Sequence, residues 1–273
     1  MSAPLKLMAI LAHPDDESLG MGGTFAKYVS EGVECCLVTA TKGERGRCGN
    51  LPERPSDEEV GKIREAELRC AVKKLGIHRL EFLDYLDADL DKVNPQEAIN
   101  KIAILIRDFR PDVVVTFGPD GGYGHPDHIA ISQFAGGAIV TATDATVQLQ
   151  DATNRILVPH AVKKFYYMTW TKTQWDGYQE AFKDLKMVVD NVERRAVPAP
   201  DWLITTRLNT EKYTEQVWSA VCCHESQLAV YEKLNELSPE NHRGIWGVQE
   251  YYRVFSRVNG GRKIENDLFE GLR

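Results

Sequence analysis

Two His-Pro-Asp tripeptides stand out among the residues able to do chemistry. The first opens the run His13-Pro14-Asp15-Asp16-Glu17, and the second opens His125-Pro126-Asp127-His128. Imidazole and carboxylate are the ligand types of catalytic Zn2+ sites, where three protein groups leave a coordination position for water. His13 and Asp16 lie three apart in a loop stiffened by Pro14, so both can turn toward one point. A third ligand is then expected from the second cluster, either His125 or His128. Asp15, beside a ligand without being needed as one, is placed to act as general base toward activated water. The remaining histidine can face a developing oxyanion, with Asp127 available to orient or charge a ring nitrogen. A lone His-Pro-Asp is more often a turn, with Pro setting φ and Asp capping a helix. Its recurrence, each time beside a further ligand-type residue, favours metal-dependent hydrolysis.

Apolar periodicity outlines the elements that must position these groups. Residues 5–11, 33–40, 79–83 and 112–117 read as buried strands. Residues 18–31, 57–75 and 95–109 read as helices, with Ser56 or Asp57 as a cap, Gly76 as a stop and Pro95 near a start. Alternating strands and helices predict right-handed βαβ units. The expected fold is therefore α/β, a Rossmann-like three-layer α/β/α arrangement with a mostly parallel sheet. The first His-Pro-Asp follows directly on a strong strand, and the second follows another after the short stretch 118–124. Ligands bind beyond the carboxyl ends of strands in such sheets, so both clusters should open on the same edge. Beyond residue 150 the rhythm loosens. A strand is expected at 163–170, a helix at 173–192, a Pro-rich turn at 196–201, a helix at 210–223 and a last edge strand at 251–256. With no repeat or linker, one domain over 1–273 is expected, with a core at about 5–170 and a C-terminal elaboration at about 171–273.

Composition narrows the function classes. The 273 residues carry a formal charge of −7 without a basic block, which argues against nucleic acid as a partner. No run approaches the roughly 20 apolar residues of a membrane span. The first strand ends in His-Pro-Asp-Asp-Glu rather than a cleavage site, so no signal peptide is expected. The six cysteines form two adjacent pairs plus Cys48 and Cys70, without CxxC; reduced thiols and a cytoplasmic location are expected. Gly20-Met21-Gly22-Gly23 would need glycine in place of Phe25 to complete a dinucleotide fingerprint, and packing of the first helix on the sheet is the expected role of these glycines. P-loop and nucleophile-elbow patterns are absent.

The sequence resembles the LmbE-like (PIG-L) zinc-dependent N-acetyl-sugar deacetylases. The likeness rests on Ala-His-Pro-Asp-Asp-Glu at 12–17, Thr-Lys-Gly-Glu-x-Gly at 41–46 and Arg-x-x-Glu-Leu at 64–68. It continues with Asp-Tyr-Leu-Asp-Ala-Asp-Leu ending at Leu90, Gly-Gly-Tyr-Gly-His-Pro-Asp-His at 121–128 and His-x-Ser-Gln at 224–227. The resemblance implies that His13, Asp16 and His128 bind one Zn2+ per chain. It makes Asp15 the base and the acid that protonates the leaving amine. It casts a protonated His125, oriented by Asp127, as stabiliser of the tetrahedral intermediate, and Tyr123 as a mobile donor. Arg64 and Asp87 would grip sugar hydroxyls or a phosphate, with Asp84 and Asp89 as competitors for the Asp87 position, although a solvated helix face is an equal expectation for Arg64. His224 would line the pocket, unless helix carbonyls satisfy it.

The implied partner is a small N-acetyl sugar or glycoconjugate. Homo-oligomerisation stays open, as do a lid at 45–55 and a stacking or packing role for the aromatic residues of 144–200. Two alternatives compete. A metal-dependent amidase or phosphoesterase could use the same groups, the phosphoesterase usually with a second metal. A sugar- or nucleotide-binding module would hold the histidines structurally and bind no metal.

Overall fold

The computed structural model describes residues 3–49, 53–182, 186–189, 191–228 and 232–273. Strand β1 (Lys6–Leu11) leads into helix α1 (Asp16–Ser30), β2 (Glu34–Thr41) into α2 (Asp57–Leu75), and β3 (Arg79–Tyr85) into α3 (Pro95–Phe109). β4 (Val113–Thr116) is followed by the single turn α4 (Gly121–Gly124), then α5 (Pro126–Thr143) and β5 (Lys164–Thr169). The apolar runs of β1 and β4 are buried on both faces, as a covered parallel sheet requires. Local signals set the helix ends. Ser56 and Glu59 close a capping box on α2, and Gly76 ends it in the left-handed region at φ 76°. Asn94 caps α3, whose Ala98, Ile102, Ala103, Ile106 and Phe109 form one buried stripe.

The seven-stranded sheet has the order β3-β2-β1-β4-β5-β9-β8. Its first five strands run parallel, and β9 (Val248–Ser256) and β8 (Thr206–Asn209) are added antiparallel. The fold is thus α/β with a mostly parallel sheet. Helices α3 and α5 pack together, and α1 and α2 pack with α7 (Thr214–Val221). Strand order reverses between β1 and β4, the place where such folds open a crevice. The two His-Pro-Asp loops leave these neighbouring strands.

The second half departs from the expectations. The helix foreseen at 173–192 stops early, as α6 (Lys172–Phe182). An antiparallel hairpin of β6 (Lys186–Val189) and β7 (Val192–Arg195) follows, with Asn191 at φ 62° in its turn. Three β-branched valines beside a left-handed asparagine favour that hairpin over a continued helix. The strand foreseen at the sheet edge starts earlier and lies inside the sheet, between β5 and β8. The edge belongs to β8, whose four residues TRLN carry no periodic signal. Helices α8 (Glu232–Glu236) and α9 (Pro239–Trp246) complete the chain's helices among the described residues. Cys70 on α2 is joined to Cys223 by a disulfide, which overturns the expectation of reduced thiols at that pair.

The glycines of α1 serve helix contacts as much as the sheet. A Cβ on Gly22 would lie 3.0 Å from Val217 of α7, and one on Gly23 2.7 Å from Thr210. No helix among the described residues is long and apolar enough to cross a membrane.

Candidate active site

The five parallel strands deliver their carboxyl ends to one place. β1 passes directly into His13, and Asp16 Oδ2 ties the loop by accepting the His13 N–H at 2.8 Å and the Ala12 N–H at 3.2 Å. Asp15, the N-cap of α1, has φ 106°, a left-handed conformation uncommon for a residue with a Cβ. Such local strain persists only where surroundings over-determine it, and it clusters at functional sites. Two contacts hold it here. Its N–H donates to Glu17 Oε2 at 2.9 Å, and its carboxylate receives Arg64 Nη2 at 3.1 Å.

Donor atoms of three residues converge beside it. His13 Nδ1 lies 3.2 Å from His128 Nε2 and 3.7 Å from Asp16 Oδ2, and His128 Nε2 lies 3.5 Å from Asp16 Oδ1. Ligand atoms about 2.0–2.2 Å from a tetrahedral ion stand roughly 3.4 Å apart, so the spacing fits a small divalent cation. The outer faces of both rings are also spoken for. His13 Nε2 meets Asp127 Oδ2 at 3.1 Å and Asp87 Oδ1 at 3.2 Å, and His128 Nδ1 meets the Gly121 carbonyl at 3.2 Å. Partners of this kind fix the tautomer that turns the other nitrogen toward a metal. Asp127 is fully buried, and its carboxylate also accepts the Ala88 and Leu90 N–H groups at 2.8 and 3.1 Å. It therefore orients His13. Toward His125 it offers only its backbone N–H, 3.2 Å from Nδ1.

The electrostatics match a site built for positive charge. Burial by itself would push the His13 imidazole down, but hydrogen bonds to Asp127 and Asp87 and the charge of Asp16 raise it to about 10. Burial raises Asp16 to about 7 against the pull of His13. Asp87, which burial would raise, is drawn down to about 2 by His13. Burial and the His13 charge hold His128 well below the usual histidine range and lower His125 to about 4. With a proton on His13, a second charge on His125 is thus disfavoured. Because its Nδ1 accepts the Asp127 N–H, its proton belongs on Nε2, which keeps it a donor. Burial also raises the Tyr123 phenol, keeping it protonated. The Tyr123 ring stands edge-on to His125 and His128, with centroids 5.8 and 5.5 Å away.

The expected substrate contacts are placed differently. Arg64 is 4% exposed, so it is no solvated helix face. It donates to the Gly43 and Pro14 carbonyls and to Asp15, clamping two loops. Gly43, at φ 66°, allows this approach, since a Cβ there would sit 2.0 Å from Arg64 Nη1. Asp87 accepts the Arg45 N–H at 3.1 Å besides facing His13. His224 is fully buried and pairs with Glu17 at 2.8 Å, so neither the pocket nor helix carbonyls satisfy that nitrogen. Glu17, given no role in the sequence reading, joins His224 to the Asp15 N–H; the Asp-Asp-Glu run was the only signal for it. Of the loop at 45–55, residues 50–52 lie outside the described residues. Its described part is tethered through the Gly49 N–H to the Ser226 carbonyl at 2.7 Å and through Arg45 to Asp89 at 2.8 Å.

A cavity of about 760 Å³ opens on this cluster. Asp15, Asp16, Tyr123 and His128 line one end, and Tyr167, Trp170, Trp175 and Tyr178 line other walls. The aromatic-rich segment thus supplies cavity wall, while its Tyr166 is buried against Glu265 at 2.7 Å.

Comparisons with known proteins bear on the family and the fold. The family model described as PIG-L, GlcNAc-PI de-N-acetylase, matches residues 8–139. The 1D-myo-inositol 2-acetamido-2-deoxy-alpha-D-glucopyranoside deacetylase of Streptomyces avermitilis is 31% identical, over 98% of this chain and 97% of its own. Among solved structures, the N,N'-diacetylchitobiose deacetylase of Pyrococcus horikoshii superposes with a TM-score of 0.66 at 19% identity, covering 91% of this chain and 83% of its own. The 4-carboxy-2-hydroxymuconate hydratase GalB of Pseudomonas putida also reaches 0.66, at 18% identity over 94% of this chain and 99% of its own. At these identities the structural likeness speaks for the fold alone.

Proposed function

Because the chain belongs to the PIG-L family, we propose that it is a metal-dependent N-deacetylase that hydrolyses the acetamide of a GlcNAc-type sugar or glycoconjugate. The observation that carries this reading is the convergence of His13 Nδ1, His128 Nε2 and the two Asp16 carboxylate oxygens at 3.2, 3.5 and 3.7 Å, with Asp15 beside them. We assign those three residues to one Zn2+ per chain. The other donor clusters among the described residues, His13 with His125 and His128 and His13 with Asp87 and Asp127, share His13, which supports a single ion. A bound divalent cation supplies Lewis acidity that polarises the amide carbonyl and makes water a nucleophile near neutral pH.

The chain's own groups do the rest. Asp15, held by Arg64 and Glu17, takes the proton of the attacking water and returns it to the departing amine. His125, through Nε2–H, and the Tyr123 phenol donate to the carbonyl oxygen as charge develops on it; one such donor is worth about 3 kcal/mol. Asp127 and Asp87 keep His13 oriented with Nδ1 inward.

Metal content by elemental analysis, paired with acetate release from N-acetylglucosaminides before and after chelation, tests the proposal. About one zinc per chain and chelator-sensitive release are expected. Asp15→Asn should keep the metal while lowering kcat by about 10²–10⁴-fold. Two ions per chain would point to a two-metal hydrolase, and none, with no activity on adding zinc, to a binding module.

A further inference from the structure

The reacting groups occupy one end of the cavity, and most of its wall is of another character. Trp170 follows β5, Trp175 and Tyr178 project from α6, and Val197, Pro198 and Leu203 come from the stretch after the β6–β7 hairpin. This wall is continuous with the metal-ligand cluster. Phe117 stacks on the His128 ring with centroids 3.9 Å apart and faces Trp170 at 6.5 Å. It is also preformed, because Trp175 and Tyr178 are packed into a second apolar cluster with Ile245 and Trp246. Val197 is 77% exposed and marks the mouth.

Two features narrow the occupant. About 760 Å³ lies well up the range of roughly 300–1,000 Å³ that holds drug-sized ligands, far beyond what an acetyl group needs. Among the described residues no lysine or arginine lines the cavity, whereas Asp15, Asp16 and Asp120 do. Arg64 and Asp87, the groups suited to a phosphate or to sugar hydroxyls, are outside the lining and engaged with the protein itself.

Resting on the N-deacetylase reading, we propose that this cavity seats an uncharged aromatic or aliphatic group carried by the substrate, and that Trp170, Val197 and Leu203 make the enzyme selective for such bulky conjugates over plain amino sugars. The group can enter as the aglycone or as the N-acyl chain, and two substrate series separate these sources. One varies the aglycone of N-acetylglucosaminide from methyl to hexyl to phenyl. The other keeps the methyl glycoside and varies the acyl group from acetyl to hexanoyl to phenylacetyl.

With the zinc-loaded enzyme, kcat/KM should rise tenfold or more along one series. A 3-carboxypropyl aglycone, close to hexyl in length but anionic, should bring no gain. Val197→Asp and Leu203→Ala, at an exposed and a half-buried position, should each shrink the bulky-to-methyl ratio at least threefold. A ratio within twofold across both series, or one unmoved by both variants, would overturn the proposal. Binding of phenyl and methyl glucosides without an amide, followed by calorimetry, keeps it separate from the catalytic reading. Tenfold tighter binding of the phenyl compound with no turnover of any substrate would uphold the cavity and sink the deacetylase; equal binding together with a flat acyl series would sink the cavity.

Discussion

His13 is where the site's charges meet, since its two nitrogens face Asp16, Asp87, Asp127 and His128 within 3.7 Å. A buried imidazole ringed by carboxylates holds a proton in place of a cation, which is why it is raised to about 10. Zinc must displace that proton, so its affinity should climb as pH rises from 6 toward 9, by up to about tenfold per unit. Competition with a chromophoric chelator measures this, and a flat affinity would mean that His13 carries no proton for zinc to displace. Residue types and spacing were enough to nominate His13, Asp15, Asp16 and His128. They could not say whose ring Asp127 orients, because that depends on which nitrogen a fully buried carboxylate meets.

At the scale of elements, the site is braced by the junction of α1, α2 and the turn after α7. Glu17 and His224 are at most 1% exposed on their side chains and 2.8 Å apart. Burial would raise Glu17, but His224 lowers it; burial would lower His224, but Glu17 raises it. Glu17 therefore stabilises the fold above its ordinary value of 4.5, and that stability is lost as pH falls through its lowered value. His224 contributes below 6.5, and its share is lost as pH rises through its raised value. His224→Gln leaves Glu17 buried without its counter-charge and should cost about 3–5 kcal/mol near pH 6 by urea unfolding. The cost should shrink toward both extremes of pH. The neighbouring Cys70–Cys223 bridge closes a loop of 153 residues, and Cys223→Ser should lower stability by about 2–4 kcal/mol under non-reducing conditions. Long helices with caps, such as α2 and α3, were legible from sequence. The β6–β7 hairpin and β8 were not, since four-residue strands carry too little periodicity to outweigh their neighbours.

Across the whole molecule, the C-terminal segment locks the added antiparallel strands to the parallel core. Glu265 is 1% exposed and receives Lys164 at 2.6 Å, Tyr166 at 2.7 Å, Thr206 at 2.8 Å and Arg253 at 2.8 Å. Burial would raise its carboxyl, but hydrogen bonds from Lys164, Asn259, Tyr166 and Thr206 draw it down to about 2. The resulting stability is present above its ordinary value of 4.5 and is lost as pH falls through about 2. Glu265→Gln leaves Lys164 and Arg253 without their carboxylate and should cost about 3 kcal/mol at pH 7. Its stability should also vary less than wild type between pH 5 and pH 2, followed by circular dichroism.

What the sequence by itself determined is whatever is written locally. Buried apolar runs set the parallel strands, caps set the helices, and His-Pro-Asp at two strand ends placed metal-type ligands at one edge of the sheet. Only the tertiary structure decided the partners separated by long stretches of chain. Arg64 became a buried clamp on Asp15, His224 a counter-ion for Glu17, and the aromatic residues around Trp170 the wall of a cavity. Desolvation and hydrogen bonding fix those roles, and both depend on what the folded chain brings within a few ångströms, which no local pattern encodes.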